Sequence, residues 1–251
     1  MLLHGIGSSH RAWSPVVAVL AEHFDVIAVD LPGFGESPPL PVGVEPHPAA
    51  LAGAVANLLD GLGIVAPAVA GNSLGAWIAL ELAAVRPISC LVLISPAGLW
   101  PGRTPLYNRL SLQASRWLTR RWCRPLSRLV NHRFGRALLL RQAVGRPSRI
   151  SPDRAREMVW DMASGAGFDA TLEATLDRHY LARPGFDVPI TVAFGSRDLL
   201  LGRRSRHVEQ LPPGARLEQL AGCGHVPMSD SPQAVAALIT AAAHQAFSAA
   251  P

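Results

Sequence analysis

Residues 65–75 of the chain read VAPAVAGNSLG, and this stretch decides the predicted fold. Residues 65–70 are an apolar run typical of a buried parallel strand, and a helical pattern begins directly after the turn. Gly71 and Gly75 lie two residues on either side of Ser73. A side chain on such a sharp strand-to-helix turn adopts strained backbone angles, and glycine at both flanking positions removes the steric clashes. The stretch therefore predicts a serine nucleophile exposed at the carboxyl end of a strand.

The alternation of strands and helices continues on both sides of this turn. Apolar runs that predict buried parallel strands occupy residues 26–29, 65–70, 91–94 and 190–194. Helical patterns occupy residues 13–21, 49–62, 74–85, 205–211 and 233–247. This alternation predicts a doubly wound, mostly parallel α/β sheet flanked by helices, with right-handed crossovers.

One long segment interrupts the alternation. Residues 99–186 contain no convincing strand, but they contain Arg-rich helical patterns. This segment carries 16 Arg and six acidic residues, a net charge of +10, whereas the rest of the chain carries 7 Arg and 12 acidic residues, a net charge of −5. We therefore predict a core formed by residues 1–98 and 187–251, interrupted by a helical, Arg-rich cap at residues 99–186.

The composition limits the class of protein and its location. The chain has 251 residues, of which 49% are hydrophobic and 16% charged, which favours a large apolar core and excludes disordered, collagen-like and coiled-coil proteins. Its three cysteines include no close pair, which argues against a disulfide framework and favours a reducing compartment. Glycine, asparagine and proline interrupt the most apolar window, residues 51–70, so we expect no membrane span. With no pattern of a secretory signal either, we expect a cytoplasmic protein.

A serine hydroxyl is a poor nucleophile and needs a general base. His225, in GCGHVP at residues 222–227, follows an apolar run and precedes the last helix, in a loop of glycine and proline. Asp198 ends an apolar strand at the edge of the sheet where Ser73 emerges. The order Ser73, Asp198, His225 is that of one type of catalytic triad, in which His225 moves the proton and Asp198 orients the imidazole. The ordinary alternatives are a surface histidine and a capping aspartate.

A glycine-bearing turn, His4-Gly5-Ile6-Gly7, opens the chain. Such a turn presents backbone N–H groups to an anion, and we predict that the amides of Ile6 and Leu74 form the oxyanion hole, with a structural role for His4. The G-x-G of residues 30–37 lacks a third glycine and a helix start, so it predicts a structural turn and not a dinucleotide site. The histidines and cysteines lack the spacing of metal ligands, so we expect neither a cofactor nor a metal.

Five motifs in this order resemble the α/β-hydrolase superfamily. They are HG at residues 4–5, DLPGFGES at 30–37, GNSLG at 71–75, GSRD at 195–198 and GCGHVP at 222–227. The resemblance spans essentially residues 1–250. It implies the α/β-hydrolase fold, with a helical cap inserted after the sixth strand of the family, which matches residues 99–186. Family members usually carry about two more strands before the HG turn, so the N-terminal strands are missing from the predicted sheet.

Serine at the nucleophile position is a point of resemblance to esterases, lipases, thioesterases, C–C bond hydrolases and haloperoxidases. Epoxide hydrolases and haloalkane dehalogenases differ, because they carry aspartate at that position. Asn72 and the cap arginines resemble C–C hydrolases, but those usually carry tryptophan where this chain has Val226. We therefore expect a serine hydrolase that cleaves a carboxylic ester or related acyl bond through an acyl-enzyme. The alternatives are a C–C hydrolase of a vinylogous diketone, a thioesterase and a catalytically silent ligand-binding protein. Trp100, Leu106 and Trp160 are the predicted lining of the acyl pocket.

The basic cap has three interpretations. The ordinary one is a solvated helical face that uses arginine because the chain contains no lysine. The second is attraction of an anionic acyl substrate through bidentate contacts with arginine. The third, less favoured, is contact of residues 117–134 with a membrane surface. No nucleic-acid recognition motif accompanies the charge, so we expect a small-molecule partner and no nucleic acid, and the sequence leaves the oligomeric state open.

Overall fold

The computed structural model describes residues 1–182, 188–202 and 205–249. Their strands form one six-stranded, entirely parallel sheet in the order β2-β1-β3-β4-β5-β6. The strands are β1 (Leu2–Leu3), β2 (Ala28–Val29), β3 (Ala68–Asn72), β4 (Cys90–Ile94), β5 (Ile190–Gly195) and β6 (Arg216–Leu220). The doubly wound parallel sheet that the sequence predicts is confirmed.

Helices cover both faces of this sheet, as a parallel sheet requires. The α-helices are α1 (Ser14–Leu20), α2 (Pro48–Gly61), α3 (Leu74–Ala83), α4 (Leu106–Leu129), α5 (Arg133–Leu139), α6 (Pro152–Ser164), α7 (Phe168–Thr175) and α8 (Pro232–Ala249). Helices α1 and α8 share one apolar cluster with the sheet, and α2 and α3 share another. All five side chains of β4 are buried, because that strand lies between both layers. None of the described helices is long and apolar enough to cross a membrane.

The helix predicted at residues 205–211 is wrong. Of the described residues there, Val208–Gln210 form a single turn of 3₁₀-helix. Pro212 follows Leu211, and a proline disfavours the α conformation of the residue before it. The segment is therefore too short to nucleate an α-helix.

Helices α4 to α7 occupy the chain between β4 and β5. Helix α4 contains a kink at Trp122 (φ −127°, ψ 28°), three residues before Pro125. Proline removes a backbone hydrogen bond and clashes with the carbonyl four residues earlier, which explains the kink. Helices α4 and α6 and the loops between them share a small apolar cluster: Leu126, Val130, Leu140, Val144, Ile150, Ala155 and Val159. The division into a core and a cap at residues 98 and 187 stays a prediction, and residues 183–187 lie outside the described residues.

Two buried arginines have structural roles in this helical region. Arg116 donates to the carbonyl oxygens of Met162 and Gly165, each at 2.6 Å. Arg136 donates to the carbonyl oxygen of Val130 at 2.8 Å and also to those of Asn131 and Ser148. Charged donors satisfy the carbonyls that helix ends leave without partners. Part of the positive charge of residues 99–186 is therefore explained by packing within that region.

Candidate active site

The register of the sheet brings the candidate loops to one edge. Asn72 of β3 pairs with Ile94 of β4, which pairs with Ala193 of β5, and Leu220 ends β6 beside Gly195. Leu3 of β1 lies beside Gly71 of β3. Because parallel strands that end level place their following loops together, the loops after β1, β3, β5 and β6 meet at this edge.

Ser73 occupies the strained turn between β3 and α3. Its backbone has φ 55° and ψ −115°, a conformation that residues with a side chain rarely adopt. A Cβ atom on Gly71 would lie 2.3 Å from the carbonyl oxygen of Gly75, and one on Gly75 would lie 2.3 Å from the carbonyl oxygen of Leu3. Both contacts are with backbone, so neither glycine can carry a side chain without a shift of the chain. The steric role predicted for the two glycines is confirmed.

Gly75→Ala is therefore expected to lower the free energy of unfolding by about 3 kcal/mol or more, because strand β1 must move away from the new methyl group. Gly53→Ala is the matched control, since Gly53 lies inside helix α2 and its added Cβ would meet nothing within 4 Å. That substitution should stabilise the protein by about 0.5–1 kcal/mol through helix propensity. Urea denaturation of both variants measures the difference, and similar free energies for the two would contradict the prediction.

Asp198 and His225 form a buried hydrogen-bonded pair. Nδ1 of His225 lies 3.0 Å from Oδ2 of Asp198. The other carboxylate oxygen, Oδ1, accepts the backbone N–H groups of Leu200 and Leu201, both at 2.9 Å. The loop that carries His225 is itself fixed, because Asp230 accepts the N–H of Gly224 at 2.7 Å. The carboxylate is thus held in one orientation towards the imidazole.

Electrostatics keep Asp198 ionised. Burial alone would raise the pKa of this carboxyl group, but the charge and hydrogen bond of His225, the N–H of Leu201 and the charge of Arg206 outweigh it and hold the pKa below its ordinary value. Nη2 of Arg206 lies 3.8 Å from Oδ2 of Asp198. An ionised Asp198 accepts only, so Nδ1 of His225 is the protonated nitrogen and Nε2 is the basic one. Nε2 is buried and has no hydrogen-bond partner among the described residues.

Asn72 links the histidine loop to the serine turn. Its Nδ2 donates to the carbonyl oxygen of His225 at 2.9 Å and to that of Ile94 at 3.2 Å. Ser73 and His225 both line one cavity of about 150 Å³. The structure therefore brings Ser73, Asp198 and His225 together at one edge of the sheet. The sequence did not predict this positioning role of Asn72, because a side chain that bonds two distant carbonyls leaves no local pattern.

The candidate oxyanion donors lie against the serine. A Cβ atom on Gly5 would lie 3.1 Å from Cβ of Ser73, so the turn after β1 lies directly beside it. The backbone N–H groups of Ile6 and Leu74 donate to no acceptor within the described ranges. Ile6 and Leu74 both line a second, smaller cavity of about 40 Å³ that Ser73 also borders. Both N–H groups are thus available beside the hydroxyl.

Apolar side chains of α4, α5 and α6 form the far wall of the larger cavity. They are Leu112, Leu118, Leu126, Leu139, Met158, Val159 and Met162. Of the predicted lining residues, Trp100 is buried and borders the smaller cavity. Leu106 and Trp160 line neither cavity, and their side chains are 67% and 59% exposed.

The predicted lining role of Leu106 and Trp160 is therefore corrected. Successive residues of a helix differ by about 100°, which places Leu106 opposite Ser115 on α4 and Trp160 opposite Met158 on α6. Leu112, Ser115 and Thr119 are spaced three and four residues apart and mark the inward face of α4. This helical spacing is present in the sequence and could have predicted the cavity lining.

His4 has the structural role that the sequence predicts. Its Nε2 accepts the N–H of Leu31 at 3.0 Å, which leaves the proton on Nδ1, 2.8 Å from the carbonyl oxygen of Gly5. Burial lowers the pKa of His4 from 6.5 to about 4. The structural turn predicted at residues 30–37 is also observed, since Asp30 accepts the N–H groups of His10 and Glu36.

The low pKa of His4 predicts a loss of stability in acid. In the unfolded chain His4 binds a proton below pH 6.5, whereas in the folded protein it does so only near pH 4. The free energy of unfolding therefore decreases as the pH is lowered from 6.5 to 4. His4 alone should remove about 3 kcal/mol by pH 4, at about 1.4 kcal/mol per pKa unit. Denaturation at several pH values should show a flatter profile for His4→Gln than for wild type. The exposed His23 supplies the control, and His23→Gln should keep the wild-type slope.

Comparison with known proteins agrees with this architecture. The sequence model described as the alpha/beta hydrolase family matches residues 1–238. The epoxide hydrolase EphH of Mycobacterium tuberculosis is 30% identical over 203 residues, covering 76% of this chain and 92% of that protein. A pimeloyl-(acyl-carrier protein) methyl ester esterase of Neisseria meningitidis serogroup A is 28% identical over 250 residues, covering 94% of this chain and 74% of the relative.

A solved structure of a membrane phospholipase A, described as a bacterial virulence factor, superposes with a TM-score of 0.72. It is 26% identical, and the match covers 99% of this chain and 79% of that one. The family model matches most of the chain, and the fold is similar to that of this solved structure. The chain belongs to the alpha/beta hydrolase family.

Proposed function

We propose that the protein is a serine hydrolase that cleaves a carboxylic ester or a related acyl bond. The observation that carries this proposal is the pairing of an ionised, buried Asp198 with Nδ1 of His225 at 3.0 Å, beside the strained Ser73. A pure ligand-binding protein has no need of an acid, a base and a nucleophile at the same cavity. The catalytically silent alternative is therefore less favoured.

The mechanism assigns one role to each group. Oγ of Ser73 attacks the carbonyl carbon of the ester while Nε2 of His225 takes the hydroxyl proton. The N–H groups of Ile6 and Leu74 donate hydrogen bonds to the oxyanion of the tetrahedral intermediate. The intermediate then expels the alcohol, which takes the proton from His225 and leaves an acyl-serine. Water attacks this acyl-enzyme by the same route, releasing the acid and restoring the serine.

The relatives support ester chemistry in different degrees. The Neisseria relative is named a methyl ester esterase, which is the chemistry proposed for this chain. EphH is named an epoxide hydrolase, but this chain has Ser73 at the nucleophile position, where the family resemblance implies aspartate for epoxide hydrolases. A C–C hydrolase or thioesterase would use the same three side chains, so substrate trials must distinguish them from an esterase.

Labelling with a fluorophosphonate tests the proposal. The hydroxyl of Ser73 should attack phosphorus and displace fluoride, giving a covalent adduct that peptide mass spectrometry places on Ser73. Ser115 is a second serine that lines the same cavity, so Ser115→Ala should still be labelled whereas Ser73→Ala should not. Labelling together with turnover of a short-chain p-nitrophenyl ester supports the hydrolase. A folded wild-type protein that is neither labelled nor active would overturn it in favour of a binding protein.

The anionic-substrate interpretation rests on Arg154. Arg154 lines the larger cavity, and its side chain is 11% exposed. Unlike Arg116 and Arg136, it donates to no backbone carbonyl among the described residues; its side-chain partner is Glu157, at 2.9 Å. Among the described residues, no Asp or Glu lines this cavity, so the charged group at its wall is the guanidinium of Arg154. We infer that an acyl group with a distal carboxylate would pair with Arg154.

Replacement of Arg154 by methionine is expected to lower kcat/KM for monomethyl adipate by about 10- to 100-fold, the loss typical of a charged hydrogen bond. The neutral isostere of monomethyl adipate has an isopropyl group in place of the free carboxylate. The Arg154 variant should hydrolyse this ester at a rate within about threefold of wild type, because the ester makes no charged contact. Arg156 does not line the cavity, and Arg156→Met is the matched control. Equal losses for both esters would assign Arg154 to packing instead.

We also propose that the protein is cytoplasmic. All three cysteines are free, and two of them, Cys90 and Cys223, are buried. Burial raises the pKa of both thiols, which keeps them protonated and unreactive. Free thiols of this kind are usual in a reducing compartment.

A further inference from the structure

Helices α4 and α5 expose an unusual amount of apolar surface. Eight large apolar side chains between residues 106 and 138 are at least 40% exposed. We call these residues the outer cap face; they are Leu106, Tyr107, Leu110, Trp117, Trp122, Leu129, Phe134 and Leu138. Single exposed apolar side chains are ordinary, but a group of this size on one part of a surface marks an interaction site.

In the first part of α4, the outer cap face lies on the back of the helix that borders the catalytic cavity. Leu106, Leu110 and Trp117 are separated by four and seven residues, so they lie on one side of α4. The side chains that line the cavity, among them Leu112 and Ser115, lie on the opposite side. The exposed apolar side chains are therefore not part of the cavity wall, and the proposed catalysis does not explain them.

The segment that carries the outer cap face has charge of one sign. Residues 99–152 contain 12 Arg and no Asp or Glu. Arg116 and Arg136 are buried and used within the cap, but the ten others are exposed. Two of these, Arg103 and Arg120, pair with Asp177 and Asp169. The other eight form no ion pair with any described residue; they are Arg109, Arg121, Arg124, Arg128, Arg133, Arg141, Arg146 and Arg149. The guanidinium groups of Arg121 and Arg133 lie over the rings of Trp122 and Phe134, so cation and aromatic group are presented together.

Exposed apolar side chains together with exposed arginines favour one kind of partner. We propose that the outer cap face binds the surface of a bilayer that contains anionic lipids. Arginine pairs with lipid phosphate, while tryptophan, tyrosine and leucine enter the boundary between headgroups and acyl chains. A nucleic acid would satisfy the charge but would leave Leu106, Leu110 and Leu138 exposed. A second copy of this face would place arginine against arginine, which is unfavourable.

Co-sedimentation of the full chain with vesicles tests the proposal. Binding should be at least about tenfold stronger to vesicles of equal parts phosphatidylcholine and phosphatidylglycerol than to phosphatidylcholine alone, and it should weaken in high salt. Trp117→Ser and the double variant Arg121→Gln, Arg124→Gln should each reduce binding by about tenfold, because each removes one kind of contact. Phe247→Ser and Arg216→Gln, at exposed positions outside the face, should bind as wild type does.

Four outcomes would overturn the proposal. They are no binding to either vesicle, equal binding to both vesicles, no effect of the face variants on binding, and preference for a DNA duplex that Trp117→Ser leaves unchanged. Sedimentation velocity adds a fifth, a dimer that Trp117→Ser dissociates, which would assign the face to a second copy. Since all five substituted side chains are exposed, thermal unfolding should confirm that each variant folds.

Discussion

Ser73→Ala is expected to lower kcat for a short-chain p-nitrophenyl ester by about 10⁴- to 10⁶-fold, as removal of the nucleophile does in other serine hydrolases. The methyl group of alanine cannot attack a carbonyl, and His225 then has no hydroxyl to deprotonate. The cavity walls and the N–H groups of Ile6 and Leu74 remain in place, so substrate affinity should change little. The effect should therefore fall on kcat and not on the dissociation constant of a substrate analogue.

Ser73→Ala should lose its activity but keep its stability. Ser73 adopts φ 55°, a strained conformation for any residue with a side chain, and alanine retains that strain, so the free energy of unfolding should stay within about 1 kcal/mol of wild type. Ser164→Ala is the control for serine removal, because Ser164 is exposed at the end of α6. Turnover by Ser73→Ala within tenfold of wild type would remove the serine from the mechanism.

The motifs could be read from the sequence because they depend on local chemistry. The turn at Ser73 requires glycine at positions 71 and 75, and the contacts of Gly75 with the backbone of β1 give the physical reason. The loop that carries Asp198, directly after β5 ends at Gly195, and the glycine-rich loop at His225 are likewise local features. Level strand ends in a parallel sheet then bring these distant residues to one edge.

The cavity lining was less predictable, because it depends on the rotation of each helix about its axis. The sequence predicts Trp160 as a lining residue, yet Trp160 lies on the side of α6 opposite to Met158 and Met162. The kink at Trp122 alters the phase of α4 midway, so that a single helical period does not describe the whole helix. The sequence relates Asn72 only to C–C hydrolases. Its positioning role cannot be predicted from local sequence, because its two carbonyl partners lie 22 and 153 residues away.

Asp198→Asn is expected to lower kcat by about 10⁴-fold, because the substitution places the imidazole proton on the wrong nitrogen. The N–H groups of Leu200 and Leu201 both require an acceptor at the position of Oδ1. Asparagine can satisfy them only with its carbonyl oxygen, which turns its NH₂ group towards Nδ1 of His225. Nδ1 must then accept a hydrogen bond, Nε2 carries the proton, and the histidine can no longer deprotonate Ser73.

The shape of the side chain is nearly unchanged, so the defect should be one of protonation and not of folding. Nuclear magnetic resonance of ¹⁵N-labelled histidine should find the His225 proton on Nδ1 in wild type and on Nε2 in Asp198→Asn. Asp230→Asn is a demanding control, since Asp230 accepts the backbone N–H of Gly224 in the histidine loop and that of Gly145 but does not contact the imidazole. It should reduce stability and leave the tautomer unchanged. A wild-type tautomer in an inactive Asp198→Asn variant would show that the carboxylate acts chiefly by its charge on the imidazolium.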